Sequence, residues 1–405
     1  MNQNKVLNKG ILGLIIRCVF VLLFLVGLNL TYVKTGLFEK DTRQYSRVKY
    51  RIDSAFSGGD IIYLGESSNT SFNPWTDTLN QSIGDFLQLY LPDTKVEQVT
   101  HEGYHPGLFK KMLNLLDDGL ISGKTIVLGV NIRTCGPSAM YNGNEASNQR
   151  EALFYSRRPA LLTRAFMGLH YYDNRNGKEM EGVKFKYWRT RAFDKSFECQ
   201  YPTALNWIDG IAKIYGDSLP QEIKDMCGAY VKEFSFVIDE ENPRVQDLKE
   251  IVELCKQKGV KLLFHILPPN REHAGMLFGR LGKDGTIEKG NELLKFMDYN
   301  HDFLVAKFKS WKVDFIDNYV LSEAKSHRFT DQWYPTEHYD AVIRRNIAES
   351  IFKSVAFKNG KDTSFISQRR HDVSLKLKRN NWPNESIIMP LSEPLIRKWH
   401  QNLKN

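Results

Sequence analysis

Short apolar runs and longer segments with apolar residues at helical spacing alternate along most of the chain. A run of about four to eight apolar residues is typical of a buried strand, and apolar residues three or four apart indicate a helix face. Strands that alternate with helices predict an α/β fold, in which helices cover both faces of a parallel five-stranded sheet. The predicted strands span residues 61–64, 95–99, 125–130, 260–267 and 313–316, and the predicted helices span 79–89, 108–120, 245–258, 288–311 and 337–357.

The first apolar segment is much longer than these runs. Residues 11–33 contain one charge, Arg17, and are long enough to cross a bilayer as a helix. No small-residue cleavage site follows Leu30, which favours a retained signal anchor over a cleaved signal peptide. We therefore expect a short cytoplasmic segment at residues 1–10, a transmembrane anchor at 11–33 and a polar stem at 34–59.

Basic residues flank the predicted anchor on both sides. Lys5 and Lys9 favour a cytoplasmic N-terminus, whereas the six basic residues between positions 34 and 51 oppose it. We expect the usual direction of a signal anchor. That direction makes the chain a single-pass protein of a bacterial-type inner membrane, with its bulk on the periplasmic or outer face.

About a hundred residues between the third and fourth predicted strands break the alternation. This insertion, residues 137–242, is rich in aromatic and basic side chains and divides the α/β unit into parts 60–136 and 243–357. An insertion at the carboxyl end of a strand lies over the crevice where open α/β sheets bind ligands. Its side chains could stack on sugars as a cap, or they could form the insertion's own core and rim. The candidate substrate-binding residues of this cap are Tyr171, Tyr172 and Trp188.

The charge of the chain is concentrated near its end. The 56 Lys and Arg residues exceed the 47 Asp and Glu residues by 9, and the tail at 358–405, with ten basic and four acidic residues, supplies +6 of that excess. The tail is either a solvated surface or a contact to anionic lipid or glycan. The anchor argues against nucleic acid as a partner. A hydrophobic fraction of 42% excludes a disordered chain.

Motifs for cofactors are missing from the sequence. No phosphate-binding glycine loop, His-Glu-x-x-His or Cys-x-x-Cys pattern occurs, so we expect neither a nucleotide nor a metal. Outside the anchor, Cys135, Cys199, Cys227 and Cys255 could form two disulfides in an oxidising compartment.

Three consecutive predicted strands end next to residues suited to acyl transfer. Ser67 follows the first strand in a tight turn, Gly103 follows the second and Asn131 the third. The carboxyl ends of parallel strands share one edge of a sheet, so the backbone N–H groups of Ser67 and Gly103 and the Asn131 amide could form an oxyanion hole, which binds the charge that develops on an acyl carbonyl oxygen. Arg133 could bind an anionic group of a substrate or pair with Glu66.

Together with a block before the last helix, these residues resemble the SGNH (GDSL-type) hydrolase superfamily. The matching blocks are Gly65-Glu66-Ser67, Gly103, Gly129-Val130-Asn131 and the segment from Asp331 to His338. The resemblance implies a flavodoxin-like three-layer αβα sandwich. It further implies that Ser67 is the nucleophile, that Gly103 and Asn131 complete the oxyanion hole, and that Asp331 is the acid of the triad.

Two positions depart from the family pattern. Glu66 replaces the usual Asp, and Tyr334 replaces the catalytic His. A tyrosine with an ordinary pKa near 10 is a poor base for serine at neutral pH, whereas an imidazole is well matched. If Pro335 begins the last helix, residues 334 and 338 share a face, so we expect His338 to be the base. His327 is the reserve candidate, and Tyr334 and His327 are also candidates for substrate contacts.

The sequence therefore predicts a membrane-anchored serine esterase or O-acyltransferase that acts on acyl esters of an envelope polysaccharide or of its acyl donor. Similar anchored proteins serve D-alanyl transfer to teichoic acids and acetylation of exopolysaccharides, and such relatives often work beside a multi-pass membrane acyltransferase. A non-catalytic glycan-binding or assembly protein of the same fold is the alternative. A third reading makes the cap a protein-docking module.

Overall fold

The computed structural model describes residues 3–45, 47–70, 81–101, 103–136, 159–169, 230, 233–278, 292–325, 328–329 and 336–379. The helices in this part of the chain are α1 (Gln3–Lys34), α2 (Leu37–Tyr45), α3 (Arg47–Gly58), α4 (Ser67–Thr70), α5 (Ile83–Tyr90), α6 (Pro106–Leu115), α7 (Asp118–Ile121), α8 (Ala160–Leu169), α9 (Pro243–Gln257), α10 (Arg271–Phe278), α11 (Glu292–Ser310), α12 (Ala341–Lys358) and α13 (Thr363–Arg379). The strands are β1 (Ile61–Gly65), β2 (Val96–Thr100), β3 (Thr125–Val130), β4 (Lys261–Ile266) and β5 (Asp314–Asp317).

The five strands form one sheet in which every pairing is parallel. Their order is β2-β1-β3-β4-β5, the order of flavodoxin-like doubly wound sheets. In register, Ile62 of β1 lies opposite Glu97 of β2 and Ile126 of β3, and Ile126 lies opposite Leu262 of β4. The predicted α/β class and five-stranded parallel sheet are therefore confirmed.

Alternate residues of the strands enter two separate hydrophobic cores. Leu64 and Leu128 face a core that includes residues of α3, α6, α9 and α11. Tyr63 and Val127 face the opposite core, formed with α5, α12 and α13. Helices on both faces explain why β1 and most of β3 and β4 are buried along their length. The described residues thus fit a three-layer sandwich.

The N-terminal helix α1 stands apart from both cores. Its segment Gly10–Lys34 is long and apolar enough to cross a membrane, and the apolar window within it buries none of its residues in the protein. The following helices replace the polar stem expected at 34–59. Ile52 and Phe56 of α3 are fully buried in the first core, so the end of that segment belongs to the α/β unit.

The last helix of the sheet unit begins later than the sequence predicts. The helical pattern and Pro335 suggested a start near residue 337, but α12 begins at Ala341 with Asp340 as its N-cap. The Asp340 side chain accepts the Ile343 N–H at 3.0 Å. Residues 336–340 are therefore not helical, and the expectation that 334 and 338 share a helix face is wrong.

Truncating a central core residue should destabilise the protein strongly. Leu128 is fully buried in the middle of β3, so Leu128→Ala removes packed methyl groups and leaves a cavity. We expect the free energy of unfolding, measured by urea titration in detergent, to fall by about 2–5 kcal/mol. The control Val320→Ala, at a residue that is 74% exposed, should change it by less than about 0.5 kcal/mol. Equal losses in the two variants would contradict this assignment of the core.

Candidate active site

The turn after β1 carries the candidate nucleophile. β1 ends at Gly65, where an added Cβ would approach Cε1 of Tyr63 to 2.6 Å, so close packing favours glycine there. Glu66 follows, and the chain then enters α4, whose first residue is Ser67. Ser67 is 7% exposed, so it is buried at the carboxyl edge of the sheet and does not lie on an open surface.

Hydrogen bonds of Asn69 join this turn to β2 and α5. Its Nδ2 donates to Oε1 of Gln98 on β2 at 2.8 Å, and its Oδ1 accepts the Gly84 N–H of α5 at 3.2 Å. The Ser82 hydroxyl donates to the same Gln98 oxygen at 2.7 Å. A buried polar network whose members are satisfied fixes one geometry. The turn that carries Ser67 is therefore held from two sides.

His338 lies beside the candidate nucleophile. The distance from its Nε2 to Oγ of Ser67 is 2.9 Å, across 271 positions of sequence. When the imidazole proton is on Nδ1, Nε2 accepts the Ser67 hydroxyl proton in this geometry. The imidazole does not arrive on a helix. His338 lies in the non-helical segment before α12, where Tyr339 forms an antiparallel bridge with Phe329.

Two further contacts hold the segment that carries His338. The Tyr339 hydroxyl donates to the carbonyl of Pro268, just beyond β4, at 2.9 Å. The carboxylate of Asp340 accepts from Nη1 of Arg328 at 2.9 Å, and the Asp340 N–H donates to the Arg328 carbonyl at 2.8 Å. Asp340 is fully buried, so its charge is compensated by Arg328 and by the helix N-terminus that it caps.

Glu66 and Asn131 form a hydrogen bond next to the serine. Nδ2 of Asn131 donates to Oε1 of Glu66 at 2.5 Å, and Oδ1 of Asn131 accepts the Arg133 N–H at 3.0 Å. One of the two N–H bonds of the Asn131 amide is therefore directed at Glu66, and the second is the one that could serve an oxyanion. The oxyanion role of Asn131 stays a prediction.

Burial raises the pKa of the Glu66 carboxyl from an ordinary 4.5 to about 7, and the negative charge of Glu337 acts in the same direction. Arg133, the Asn131 hydrogen bond and His338 oppose the rise. Glu337 behaves differently although it is also buried. Arg133 and His338 lower the pKa of Glu337 below its ordinary value despite the opposing effect of burial. Near neutral pH the site therefore contains one firmly ionised carboxylate and one that is close to its titration point.

Arg133 joins the turn after β3 to the segment that carries His338. Its Nε donates to Oε2 of Glu337 at 2.9 Å and its Nη2 to Oε1, so the pair is bidentate. Nη1 contacts Glu233 at 3.5 Å. The sequence suggested that Arg133 binds a substrate anion or pairs with Glu66. In the structure it forms salt bridges to Glu337 and Glu233, and its role in binding a substrate anion stays a prediction.

Sequence reasoning missed Glu337 and Glu233 as members of this site. For Glu337 a signal was present: it directly precedes His338, so it had to lie near the same edge of the sheet as Arg133. Glu233 offered no such signal, because it lies in the insertion between β3 and β4.

The remaining predicted residues fall into two groups. Gly103 follows β2 with a φ of +70°, in the left-handed region that favours glycine, and the pairing of Gly65 with Thr100 brings the loops after β1 and β2 side by side. The others lie outside the described residues. They are Asp331, Tyr334, His327, Tyr171, Tyr172 and Trp188.

Metal ligands and cysteines were further candidates for chemistry in the described residues. They contain no group of three or more His, Cys, Asp or Glu side chains that could hold a metal ion. Cys135 and Cys255 are buried free thiols, and the other two cysteines of the predicted disulfides lie outside the described part.

The described residues define an α/β protein with a doubly wound parallel sheet and a serine–histidine contact at the carboxyl edge of that sheet. Comparison with protein-family models and with curated proteins found no match to the chain.

The buried carboxyl of Glu66 should make stability depend on pH. Its folded pKa of about 7 lies above the ordinary 4.5, so between these values the folded state binds more protons than the unfolded state. The stabilisation is present at low pH and is lost as pH rises towards 7. We expect Glu66→Gln, which keeps an acceptor for Asn131, to reduce the fall in unfolding free energy between about pH 5 and pH 7. Urea titrations across this range measure the slope, and an unchanged slope would contradict the expectation.

Breaking the Arg133–Glu337 pair should cost more than breaking a surface pair. The Glu337 side chain is 3% exposed, so Arg133→Met leaves a buried charge without its partner. We expect a loss of about 3–5 kcal/mol in unfolding free energy, much of it recovered in the double variant Arg133→Met/Glu337→Gln. The control Arg370→Met breaks a pair with Glu349 in which Arg370 is 52% exposed, and should cost less than about 1 kcal/mol. A double variant less stable than Arg133→Met would argue against the pairing.

Proposed function

We propose that this protein is a serine esterase or O-acyltransferase with the SGNH hydrolase fold, which acts through an acyl-enzyme on Ser67. The observation that carries the proposal is the 2.9 Å contact between Nε2 of His338 and Oγ of Ser67. A nucleophile hydroxyl within hydrogen-bond reach of an imidazole is the arrangement that serine acyl transfer uses.

The proposed reaction has two halves. The Ser67 oxygen attacks the acyl carbonyl while Nε2 of His338 takes the hydroxyl proton, and N–H donors at the sheet edge stabilise the negative charge on the carbonyl oxygen. The tetrahedral intermediate collapses to the acyl-enzyme, and His338 returns the proton to the departing alcohol. Water or a sugar hydroxyl then attacks the acyl-enzyme, with His338 again as base. Hydrolysis and transfer differ only in this acceptor.

The position of the site in the sheet supports this reading. From β1 the chain continues to β2 at one side, whereas from β3 it continues to β4 at the other side, so the strand order reverses between β1 and β3. Ligands of open α/β sheets bind in the crevice at such a switch point. Ser67 follows β1 and Asn131 follows β3, and the bond between Asn131 and Glu66 joins the two turns across the crevice.

The negative charge of Glu337 supports His338 as the base. The attraction between Glu337 and His338 lowers the pKa of the Glu337 carboxyl, and the same attraction favours the imidazolium that forms when His338 accepts a proton. Asp331, the acid expected from the family resemblance, lies outside the described residues and keeps that role as a proposal.

We further propose that the substrate is an acyl ester of an envelope glycan or of its acyl donor. The apolar segment of α1 supports action next to a membrane. The aromatic and basic composition of the insertion supports contacts to sugars. A multi-pass membrane acyltransferase is the proposed partner, and the extracytoplasmic side is the proposed location.

Covalent labelling with a fluorophosphonate probe tests the nucleophile. An activated serine oxygen bonds to phosphorus and displaces fluoride, so we expect the wild-type chain to be labelled and Ser67→Ala not to be labelled. Ser68→Ala is the matched control, because Ser68 is the next residue of α4 and is fully buried. It should retain labelling.

The same assay separates the proposed base from the alternatives. Removing a general base slows reaction by about 10²–10⁴-fold, and we expect His338→Gln to slow labelling by that amount. A His338→Gln rate equal to the wild-type rate would transfer the role to His327. No labelling of the wild-type chain under any condition would favour the non-catalytic glycan-binding or assembly protein.

A further inference from the structure

Helix α8, from the insertion, packs against the end of the apolar helix α1. The Leu161 N–H, in the first turn of α8, donates to Oδ1 of Asn29 at 3.0 Å. Asn29 lies within the segment Gly10–Lys34 that is long and apolar enough to cross a membrane. A helix belonging to the α/β unit's insertion therefore contacts the span itself.

An ion pair and a hydrogen bond lock this contact. Nε of Arg164 on α8 binds Oδ2 of Asp41 on α2 at 2.8 Å, and the Tyr32 hydroxyl of α1 donates to the same oxygen at 2.6 Å. One carboxylate thus joins the three helices α1, α2 and α8. Because each helix is held to the other two, the depth of α8 relative to α1 is fixed.

That depth corresponds to the boundary of a bilayer. Asn29 lies five residues before Lys34, the last residue of the apolar segment, which is about 7.5 Å along a helix axis. Amphipathic helices that lie in a membrane interface bury their apolar side to about 5–10 Å. The first turn of α8 is therefore at the depth that an interfacial helix occupies.

Two leucines of α8 and α2 are exposed at the depth where a bilayer would cover them. Leu162 of α8 is 45% exposed and Leu37 of α2 is 51% exposed, while Thr163 beside Leu162 is 4% exposed. Lys34 and Lys40 are exposed near the same end of α1, where lysines reach lipid headgroups. Apolar side chains together with basic ones, continuous with an apolar span, are typical of a membrane-interface surface.

We propose that α8 and the start of α2 form an interfacial collar that lies in the same bilayer that α1 crosses, with Leu162 and Leu37 inserted at the headgroup–acyl boundary. The proposal rests on α1 being a membrane anchor and is independent of the catalytic role of Ser67. The collar gives the chain a second attachment to the membrane. Because α8 belongs to the insertion that follows β3, it places residues 160–169 of that insertion at the lipid surface.

Depth-dependent quenching tests the collar in the full chain. In a Cys18→Ala background, Leu162→Cys and Leu37→Cys are each labelled with an environment-sensitive fluorophore and placed in nanodiscs that hold one chain and contain lipids spin-labelled near the headgroup. Signal from the parent background without an added cysteine is subtracted. We expect both labels to be quenched at least about twofold more than a label at the control Val320→Cys, because interfacial residues lie within reach of the quencher.

Each outcome bears on the proposal. Quenching at Leu162→Cys equal to that at Val320→Cys would overturn the proposal. A parallel sample with two chains per nanodisc is measured as well, and quenching seen only in that sample would also overturn the proposal, since a second copy would then cover the face. Circular dichroism of each variant checks folding, and Leu37→Cys provides a second reporter on the same surface if Leu162→Cys unfolds. Loss of fluorophosphonate labelling in Ser67→Ala changes none of these readouts, so failure of the collar and failure of the proposed enzyme are distinguishable.

Discussion

The candidate site depends on one buried ion pair. Arg133 lies in the turn after β3, and its guanidinium binds both carboxylate oxygens of Glu337, 204 positions later in the chain. Glu337 directly precedes His338, so this pair attaches the histidine segment to the sheet unit beside Ser67. Buried ion pairs add little net stability because desolvation offsets their attraction, yet removing one partner is costly. In this site the pair ties the segment that carries the His338 imidazole to the turn after β3.

The sheet supplies the other half of the site through its strand order. The reversal at β1 separates the helices after β1 and β3 and opens a crevice at the carboxyl edge, where loops carry polar side chains without burying unpaired backbone groups. The Asn69 bonds to β2 and α5 then fix the Ser67 turn from the opposite side to Arg133. A serine and a histidine far apart in sequence are thus held by separate attachments, and the proposed reaction would use this preorganised geometry.

Local patterns predicted the sheet well and the last block poorly. The five strands agree with the sequence to within one or two residues at each end. For β1, β3 and β4 the reason is that buried parallel strands are continuous apolar runs bounded by turn residues. The predicted start of α12 was wrong because Pro335 and Asp340 are competing helix-start signals. The ion pair of Arg328 with Asp340 favours Asp340. His338 was selected for helical proximity to residue 334, yet it meets Ser67 from a non-helical segment. Of the two partners of Arg133, Glu337 could be suspected from its position next to His338, whereas Glu233 could not, since tertiary packing alone brings it to Arg133.

The two buried carboxyl groups of the site, Glu66 and Glu337, differ in their charge balance. Glu337 is held ionised by Arg133 and His338, whereas burial keeps Glu66 near its titration point. If both were fully ionised beside each other, their repulsion would add to the cost of burying each charge. Protonation of Glu66 relieves that repulsion and leaves Glu337 as the negative charge next to His338. In the proposed reaction, proton transfer from Ser67 to His338 would place the positive imidazolium beside a carboxylate that is already ionised.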